Sequence, residues 1–213
     1  MTAILEPSPL SADARCPHVV FRNLLGPSVA CGLFGYAAAR AADFQPARVR
    51  GRKSEDDDVD QSHRDCLFLP DLGPFQKPIE TAVREIIPRT ISQFRLKDVT
   101  AEPREFEISS YGHGGHFDAH IDTTGHLHQV RIISCIYYFS LNPPRFNGGQ
   151  LRLYRLPSPS AERQTRSVVD IEPETDSLVA FPSWLPHEVL AVRVPSGEWN
   201  DRRFAVNCWI HSA

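Results

Sequence analysis

The stretch Arg131–Phe139, RIISCIYYF, is the longest of the apolar segments that decide the fold of this 213-residue chain. Its β-branched and aromatic residues are typical of a buried strand. Six further short apolar or alternating segments follow Asp98, bounded by Gly, Pro and Asn: Glu105–Tyr111, Gln150–Tyr154, Ser167–Ile171, Ser177–Phe181, Glu188–Val194 and Arg203–Ile210. Short strands at this spacing predict a β-sandwich or barrel.

Two helical segments precede these strands. After a short strand over His18–Asn23, Pro27 opens a helix of about 14 residues with an apolar stripe. A second helix is predicted from Phe75 to Phe94, and Pro88 is expected to kink or divide it. Helices followed by a run of strands predict a mainly β, α+β protein whose N-terminal helices pack on one outer face of a β core.

The length predicts one domain, over residues 17–213, after a flexible leader over residues 1–16. Helical support is expected to about residue 98 and the β core from about residue 99. With 41% hydrophobic and 23% charged residues and a net charge of −3, the composition argues against global disorder and against a partner that is a nucleic acid or an anionic membrane. The chain has no apolar run of the roughly 18 residues that a membrane span needs and no pattern typical of a secretory signal.

The five cysteines are widely spaced, odd in number and free of CxxC pairs. Together with the missing secretory pattern, this spacing predicts reduced thiols and a cytoplasmic location. Cys135 and Cys208 lie inside apolar runs, so we expect both to act as small buried hydrophobic residues.

The stretch Tyr111–Thr124, YGHGGHFDAHIDTT, contains the pattern His120-Ile121-Asp122. In an extended segment residues i and i+2 point to the same face, so an imidazole and a carboxylate lie side by side. His187, 67 residues later, is the best candidate for a third ligand. Two histidines and one carboxylate leave three positions open, the arrangement of non-haem Fe(II) oxygenases, whereas closed structural zinc sites use four protein ligands.

An HxD pattern alone is weak, because it often occurs by chance and other histidines crowd this region. Surface or hydrogen-bonding roles are favoured for His63, His113, His126 and His128, while spacing alone leaves the choice of histidine open. Phe117 and Ile121 flank the pair and are expected to pack into the core.

Alternation along the last strand places Arg203 on one face with Ala205, Asn207 and Trp209. A guanidinium that points into a β core needs an anionic partner, because an unpaired buried charge is costly. The partner is either a carboxylate of a cosubstrate or an internal Asp or Glu, and the strand pattern does not choose between them.

Taken in order, these segments resemble the Fe(II)- and 2-oxoglutarate-dependent dioxygenases, in particular the prolyl-4-hydroxylase-like branch. The resemblance covers about Phe106 to His211, is close to the oxygen-sensing prolyl hydroxylases, and rests on HIDT at 120–123, CIYYF at 135–139, NGGQLRLY at 147–154, DIEP at 170–173, PHEV at 186–189 and RFAVNCW at 203–209. It implies a double-stranded β-helix, the jelly-roll of cupin-like proteins, with helices on its outer face.

The resemblance also assigns roles to residues. His120, Asp122 and His187 match the catalytic metal ligands, and Arg203 matches the residue that pairs with the C5 carboxylate of 2-oxoglutarate. Tyr138 and Tyr111 match phenols that contact this cosubstrate. The implied cofactors are Fe(II), with 2-oxoglutarate and O2 as cosubstrates and ascorbate as a supporting reductant.

The implied reaction hydroxylates an unactivated C–H bond and converts 2-oxoglutarate to succinate and CO2. The substrate is expected to be a prolyl or other amino-acid unit, free, carrier-bound or in a polypeptide. Arg131 and Trp184 are candidate substrate-binding residues, with a solvated strand-edge arginine and core packing as their alternative roles. The charge run 50–65, RGRKSEDDDVDQSHRD, is expected to be an exposed loop or a flap over the site.

Two other functions stay open from the sequence. One is a different metalloenzyme on a cupin-like barrel that uses no 2-oxoglutarate. The other is a non-catalytic or low-turnover module that senses oxygen or 2-oxoglutarate, although decayed relatives usually lose a ligand or the arginine, and all are present here.

Overall fold

The computed structural model describes residues 15–50, 57–96, 99–123, 130–157 and 167–212, apart from the side chains of residues 49, 50, 57 and 58. Most of the predicted leader therefore lies outside the described residues. The helices are α1 (Pro27–Ala39) and α2 (Gln76–Phe94), with short 3-10 turns at Ala41–Asp43, Gly73–Phe75 and Trp199–Asp201. The strands are β1 (Val19–Arg22), β2 (Gln45–Pro46), β3 (Val49–Arg50), β4 (Asp57–Asp58), β5 (Arg64–Asp65), β6 (Leu67–Leu69), β7 (Ala101–Tyr111), β8 (His116–His120), β9 (Arg131–Phe139), β10 (Asn147–Gly148), β11 (Leu151–Tyr154), β12 (Val168–Ile171), β13 (Ser177–Pro182), β14 (His187–Val189), β15 (Val192–Arg193) and β16 (Arg203–Ser212).

Two antiparallel sheets form the β core. The larger has seven strands in the order β1-β13-β9-β16-β7-β6-β2, and the smaller has five in the order β12-β11-β14-β8-β5. Their inner faces share one buried cluster, in which Tyr138 and Ala205 of the larger sheet pack with Leu151 and Leu153 of the smaller. This is the predicted jelly-roll, and the alternating residues of each strand supply its interior.

The predicted strand at Glu188–Val194 is wrong in one respect, because two strands occupy it. β14 pairs with β8 and β11, whereas β15 pairs with β10 in a separate two-stranded ladder. The register of β14 against β8 shifts between His187 and Val189, and β14 ends at Val189, which still pairs with both neighbouring strands. The buried positions shift by one residue at this change of partner, from His187 and Val189 to Val192 and Val194. The sequence does not reveal the shift because residues 189–192 form a continuous apolar run.

The two helices begin and end where local chemistry requires it. Pro27 occupies the first turn of α1, where its missing N–H costs no hydrogen bond. α2 ends at Arg95, whose left-handed conformation (φ 54°) closes the helix with bonds from its N–H to the carbonyls of Ile91 and Ser92. Pro88 does not divide α2, and it lies on the exposed side of the helix.

Both helices pack on the outer face of the seven-stranded sheet. Leu33 of α1 and Val83 of α2 are fully buried in the same cluster as Ile108, Phe139 and other sheet residues. Cys135 and Cys208 lie opposite each other on β9 and β16 within this cluster, and both are buried free thiols, as predicted. All five cysteines are free, and Cys31 is exposed.

The charge run 50–65 is not simply an exposed loop, although its residues 51–56 lie outside the described ranges. β5 at its end adds an edge strand to the five-stranded sheet, pairing Arg64 with Phe117. The Arg64 side chain is only 12% exposed and forms an ion pair with Glu107. Part of this charge run is therefore buried, because the Arg64 guanidinium pairs with the Glu107 carboxylate on β7.

A buried carboxylate, Asp176, joins α1 to the sheet. It accepts hydrogen bonds from the N–H groups of Leu25 and Gly26 just before the helix (2.9 and 3.0 Å) and from the Tyr137 hydroxyl (2.9 Å). We expect Asp176→Ala to lower the free energy of unfolding by about 2–4 kcal/mol, because three buried donors lose their acceptor. Urea denaturation measures this, and Tyr137→Phe, which removes one of the three bonds, should cost less. Equal losses in the two variants would contradict the shared-acceptor account.

Among the described residues, no helix is both long enough and apolar enough to cross a membrane.

Candidate metal centre

Three side chains of the predicted ligand set meet at one end of the five-stranded sheet. His120 ends β8, Asp122 follows two residues later, and His187 begins β14 directly opposite His120. The Asp122 carboxylate lies 3.6 Å from His120 Nε2 and 3.5 Å from His187 Nε2. Their candidate ligand atoms lie within 4.8 Å of one another, so the three can hold one metal ion.

Both imidazoles are fixed with Nε2 directed at the common centre. Nδ1 of His120 bonds the Asp118 carbonyl (2.7 Å), and Nδ1 of His187 bonds the Leu185 carbonyl (2.9 Å). A carbonyl only accepts, so each Nδ1 carries the proton and each neutral Nε2 offers a lone pair. This arrangement is typical of metal-binding histidines.

The charge states of the centre also suit a cation. Burial lowers the pKa of His120, which favours the neutral imidazole. Burial alone would raise the pKa of Asp122, but His187 and His120 beside it hold that pKa well below its usual range. The resulting set, one carboxylate and neutral imidazole nitrogens, is a donor set that a divalent transition metal binds.

The Asp122 carboxylate is held in place by two donors from the seven-stranded sheet. Its Oδ2 accepts hydrogen bonds from Ser134 Oγ (2.6 Å) and Trp209 Nε1 (2.9 Å), and its backbone N–H bonds the Ser183 carbonyl (2.8 Å). These contacts connect the two sheets at the centre, and they leave Oδ1, 3.6 Å from His120 Nε2, free of hydroxyl or indole donors.

We expect Ser134→Ala and Trp209→Phe each to weaken Fe(II) binding by about 10- to 100-fold, because outer-shell donors orient a ligand carboxylate. Anaerobic titration of the purified protein with Fe(II) measures the effect. Trp199→Phe is the matched control, since the indole N–H of Trp199 has no hydrogen-bond partner in the described ranges. Unchanged iron affinity in both Ser134→Ala and Trp209→Phe would contradict the positioning role.

A second set of buried polar groups lies near this centre. Arg203 is 1% exposed, and its Nε donates to the Gly149 carbonyl (2.8 Å). Its guanidinium carbon lies 5.0 Å from the ring centres of both Tyr111 and Tyr138. Tyr111 also lines the cavity that contains the three candidate metal ligands, so it lies between Arg203 and the metal centre.

Two of these buried groups lack a partner. Within the part of the chain that the structure describes, Arg203 Nη2 and Tyr138 Oη have no hydrogen-bond partner, and Arg203 forms no ion pair with a carboxylate. An internal Asp or Glu, one of the two partners left open by the sequence, is therefore not found among the described residues. A buried guanidinium beside a phenol, both with free donors, fits a carboxylate of a bound small molecule.

Gly149 is required by the close approach of Arg203. Its φ of 70° favours glycine, and a Cβ at this position would lie 2.6 Å from Arg203 Cδ. The GG pair of the NGGQLRLY motif thus makes room for the arginine side chain.

The candidate substrate-binding residues differ from their expected surroundings. Arg131 is partly exposed, and it forms an ion pair with Glu105 and stacks over Trp209 at 4.1 Å, so it is not a free strand-edge arginine. Trp184 is 42% exposed, so the expected core packing is wrong. Ile121, expected in the core, is 51% exposed, because its two neighbours turn inward as ligands.

Two other histidines, His63 and His113, have hydrogen-bonding roles, as predicted. His63 contacts Asp118, and His113 bonds the Val194 carbonyl. His126 and His128 lie outside the described residues.

Three polar residues of the centre were not identified from the sequence: Ser134, Asn207 and Arg64, which all line the cavity. The alternation of side chains along β16 predicted that Asn207 lies on the same face as Arg203, but it did not indicate a function for Asn207. Arg64 lies in the charge run, where composition favoured solvent exposure, and no local pattern distinguishes it from its charged neighbours.

Comparisons with known proteins agree with this geometry. Residues 106–211 match the family model of the 2OG-Fe(II) oxygenase superfamily. A PKHD-type hydroxylase of Synechocystis sp., itself uncharacterized, is 28% identical over 145 residues, 68% of this chain and 48% of the relative. The chain therefore spans about half the length of this curated relative.

Two solved structures share the fold over nearly the whole chain. A Pseudomonas putida prolyl-4-hydroxylase superposes with a TM-score of 0.65 at 20% identity, covering 93% of this chain and 94% of that one. A Trichoplax adhaerens prolyl hydroxylase, solved with a hypoxia inducible factor peptide fragment, gives a TM-score of 0.64 at 22% identity, covering 92% and 83%. With its jelly-roll, its His-Asp-His cluster and the match over residues 106–211, the chain belongs to the 2OG-Fe(II) oxygenase superfamily.

Proposed function

We propose that this protein is an Fe(II)- and 2-oxoglutarate-dependent dioxygenase that hydroxylates an unactivated C–H bond. The observation that carries the proposal is the placement of His120, Asp122 and His187 on one cavity, close to a buried arginine and tyrosine whose donors have no partner. A metal with three protein ligands keeps positions open for other molecules. The unpaired donors supply the anchor for an anionic cosubstrate.

In this proposal His120, Asp122 and His187 hold the iron. Two neutral imidazoles and one carboxylate leave a net charge of about +1 on the Fe(II) site, which attracts an anion. The Asp122 carboxylate accepts hydrogen bonds from the Ser134 hydroxyl and the Trp209 indole N–H, and these donors favour its ionised form. Ser134 and Trp209 keep its carboxylate oriented.

Arg203 binds the C5 carboxylate of 2-oxoglutarate through its free Nη2, and Tyr138 donates its hydroxyl to the same group. Burial raises the pKa of Tyr138, so its phenol keeps the proton that it donates. Burial also raises the pKa of Tyr111, which places a second protonated phenol on the cavity. Tyr111 is the candidate donor to the end of the cosubstrate nearer the metal.

The iron, when bound, supplies the centre at which O2 oxidises 2-oxoglutarate and the substrate. One oxygen atom of O2 enters succinate as 2-oxoglutarate loses CO2, and the other enters the substrate C–H bond as a hydroxyl group. The residues of the chain fix the ligands, orient the cosubstrate and exclude water from the buried end of the cavity.

The proposed substrate is an amino-acid unit, with proline the first candidate. The names of the two solved relatives, prolyl-4-hydroxylase and prolyl hydroxylase, support proline, although a shared fold does not transfer a substrate. Stimulation by ascorbate, a cytoplasmic location and a single domain over residues 17–213 remain predictions. We keep Arg131 and Trp184 as candidate substrate contacts.

The test begins with anaerobic reconstitution with Fe(II) and titration with 2-oxoglutarate. We expect a visible metal-to-ligand charge-transfer band in the wild type, and succinate formation once O2 and substrate are admitted. Iron binding without the band would overturn the cosubstrate assignment and favour a cupin-like metalloenzyme that does not use 2-oxoglutarate. A band without succinate formation on any substrate would favour a sensing module.

A further inference from the structure

Arg64 contributes to the candidate active site, although it lies outside the sequence motifs that carry the family resemblance. It lies on β5, the edge strand that pairs with β8, and its side chain lines the cavity that holds His120, Asp122 and His187. No other lysine or arginine of the described residues lines this cavity. A positive charge is therefore placed near the reacting centre, apart from the one already assigned to 2-oxoglutarate.

Two nitrogens of the Arg64 guanidinium have hydrogen-bond acceptors, whereas the third has none among the described residues. Its Nη2 donates to Glu107 Oε1 (2.8 Å), and its Nη1 makes a long contact with the Arg48 carbonyl (3.4 Å). Asn207 Nδ2 donates to the same Glu107 oxygen (3.0 Å), so two cavity side chains share this carboxylate. Arg64 Nε is buried and has no hydrogen-bond partner among the described residues.

Stacking fixes the position of Arg64 relative to the metal ligands. Its guanidinium carbon lies 4.9 Å from the centre of the Phe117 ring, and Phe117 stacks on the His120 imidazole at 3.6 Å between ring centres. Because the unsatisfied group is a donor, its missing partner is an acceptor. A guanidinium edge pairs best with a carboxylate.

We propose that Arg64 binds a carboxylate of the primary substrate, and that this substrate is a free amino acid. The inference rests on the proposed function, in which Arg203 and Tyr138 already bind the distal carboxylate of 2-oxoglutarate. Arg64 is 12% exposed, so a carboxylate must enter the cavity with the substrate to reach it. The α-carboxylate of a free amino acid lies within a few bonds of every side-chain carbon, whereas an internal residue of a polypeptide has none.

The test uses the full-length protein with Fe(II), 2-oxoglutarate and O2, and measures succinate formation. The probes are the common free amino acids, their α-carboxamides, and the same residues blocked at both ends by acetyl and N-methylamide groups. We expect stimulation by at least one free amino acid and its loss in the carboxamide and the blocked form. Stimulation of equal size by the carboxamide or by a blocked proline would overturn the proposal, and so would the absence of stimulation by every free amino acid.

Variants of Arg64 test whether this residue is responsible for the stimulation by a free amino acid. We expect Arg64→Gln to lower kcat/KM for the stimulating amino acid by roughly 10- to 100-fold, the range for losing a charge-assisted hydrogen bond. Arg193→Gln, an exposed arginine on β15, is the matched control and should leave kcat/KM unchanged. If Arg64→Gln does not fold, Arg64→Lys keeps the charge next to Glu107 but loses the planar fork, and it should still lower kcat/KM. Wild-type kcat/KM in a folded Arg64 variant would overturn the assignment.

Further measurements test two other sources of the carboxylate that Arg64 binds, namely 2-oxoglutarate and an acidic side chain of a peptide. If the dissociation constant of 2-oxoglutarate, measured anaerobically from the visible band, rises in Arg64→Gln, the residue binds the cosubstrate and the proposal is overturned. Stimulation by blocked aspartate or glutamate, but by no free amino acid, would place the carboxylate on a peptide side chain and overturn it too. The band in the wild type tests the proposed function separately, so loss of the substrate inference alone leaves that band intact.

Discussion

Asp122→Ala is expected to abolish both iron binding and turnover. The carboxylate is the sole anionic ligand of the candidate centre, and it lies 3.6 and 3.5 Å from the two imidazole nitrogens that complete the set. Its removal leaves two neutral nitrogens to compete with water for a divalent cation. We expect a loss of iron affinity larger than the 10- to 100-fold typical of outer-shell changes, and no succinate formation above background.

Metal analysis after reconstitution measures the loss of iron binding, and succinate formation with 2-oxoglutarate and O2 measures the loss of turnover. Asp170→Ala is the matched control, because Asp170 is an exposed carboxylate on β12 of the same sheet, paired with Arg152. Circular dichroism and thermal unfolding check that the variants fold. One iron per chain retained in Asp122→Ala would show that the metal lies elsewhere.

Arg203→Ala is expected to raise the 2-oxoglutarate requirement while iron binding stays close to that of the wild type. Truncating one side of a buried charge pair costs about 2–5 kcal/mol, so the dissociation constant of 2-oxoglutarate should rise by more than tenfold. The physical reason is that Arg203 Nη2 and the Tyr138 hydroxyl, which have no acceptor among the described residues, are the donors assigned to the distal carboxylate.

Anaerobic titration with 2-oxoglutarate at fixed Fe(II) measures the shift. Tyr138→Phe should move the dissociation constant in the same direction by less, because a neutral donor contributes less than a charged one. Arg193→Ala on β15 is the control for the loss of an arginine. Normal turnover of Arg203→Ala at low 2-oxoglutarate would refute the anchor assignment.

Several features of the fold and the site were predictable because they depend on residues that are close together in the chain. The alternation of inward and outward residues on a strand predicted that Arg203, Ala205, Asn207 and Trp209 share a face, and the structure places Arg203, Asn207 and Trp209 at the two polar sites. The spacing His120-x-Asp122 predicted two adjacent ligands by the same rule. His187 could be chosen among the histidines from the motif around it, and the pairing of β14 with β8 brings it opposite His120.

Other features depended on which strands become neighbours. The split of the segment 188–194 follows from a change of sheet partner, at which the buried positions shift from 187 and 189 to 192 and 194. The exposure of Ile121 and Trp184 follows from the placement of their neighbours at the centre. Composition alone predicts the opposite for both, because apolar side chains are usually buried.

Local residue patterns alone predicted a β core of short strands and the adjacent ligands His120 and Asp122, because each depends on residues close together in the chain. The order of motifs along the chain, through its family resemblance, added the jelly-roll and the third ligand, His187. Only the tertiary structure showed that Ser134 and Trp209 hold Asp122, that Arg203 has no carboxylate partner among the described residues, and that Arg64 reaches the cavity. These contacts join positions far apart in the chain, as with Arg64 and Glu107 on β5 and β7. Their distances are set by strand register and sheet packing, which no local pattern encodes.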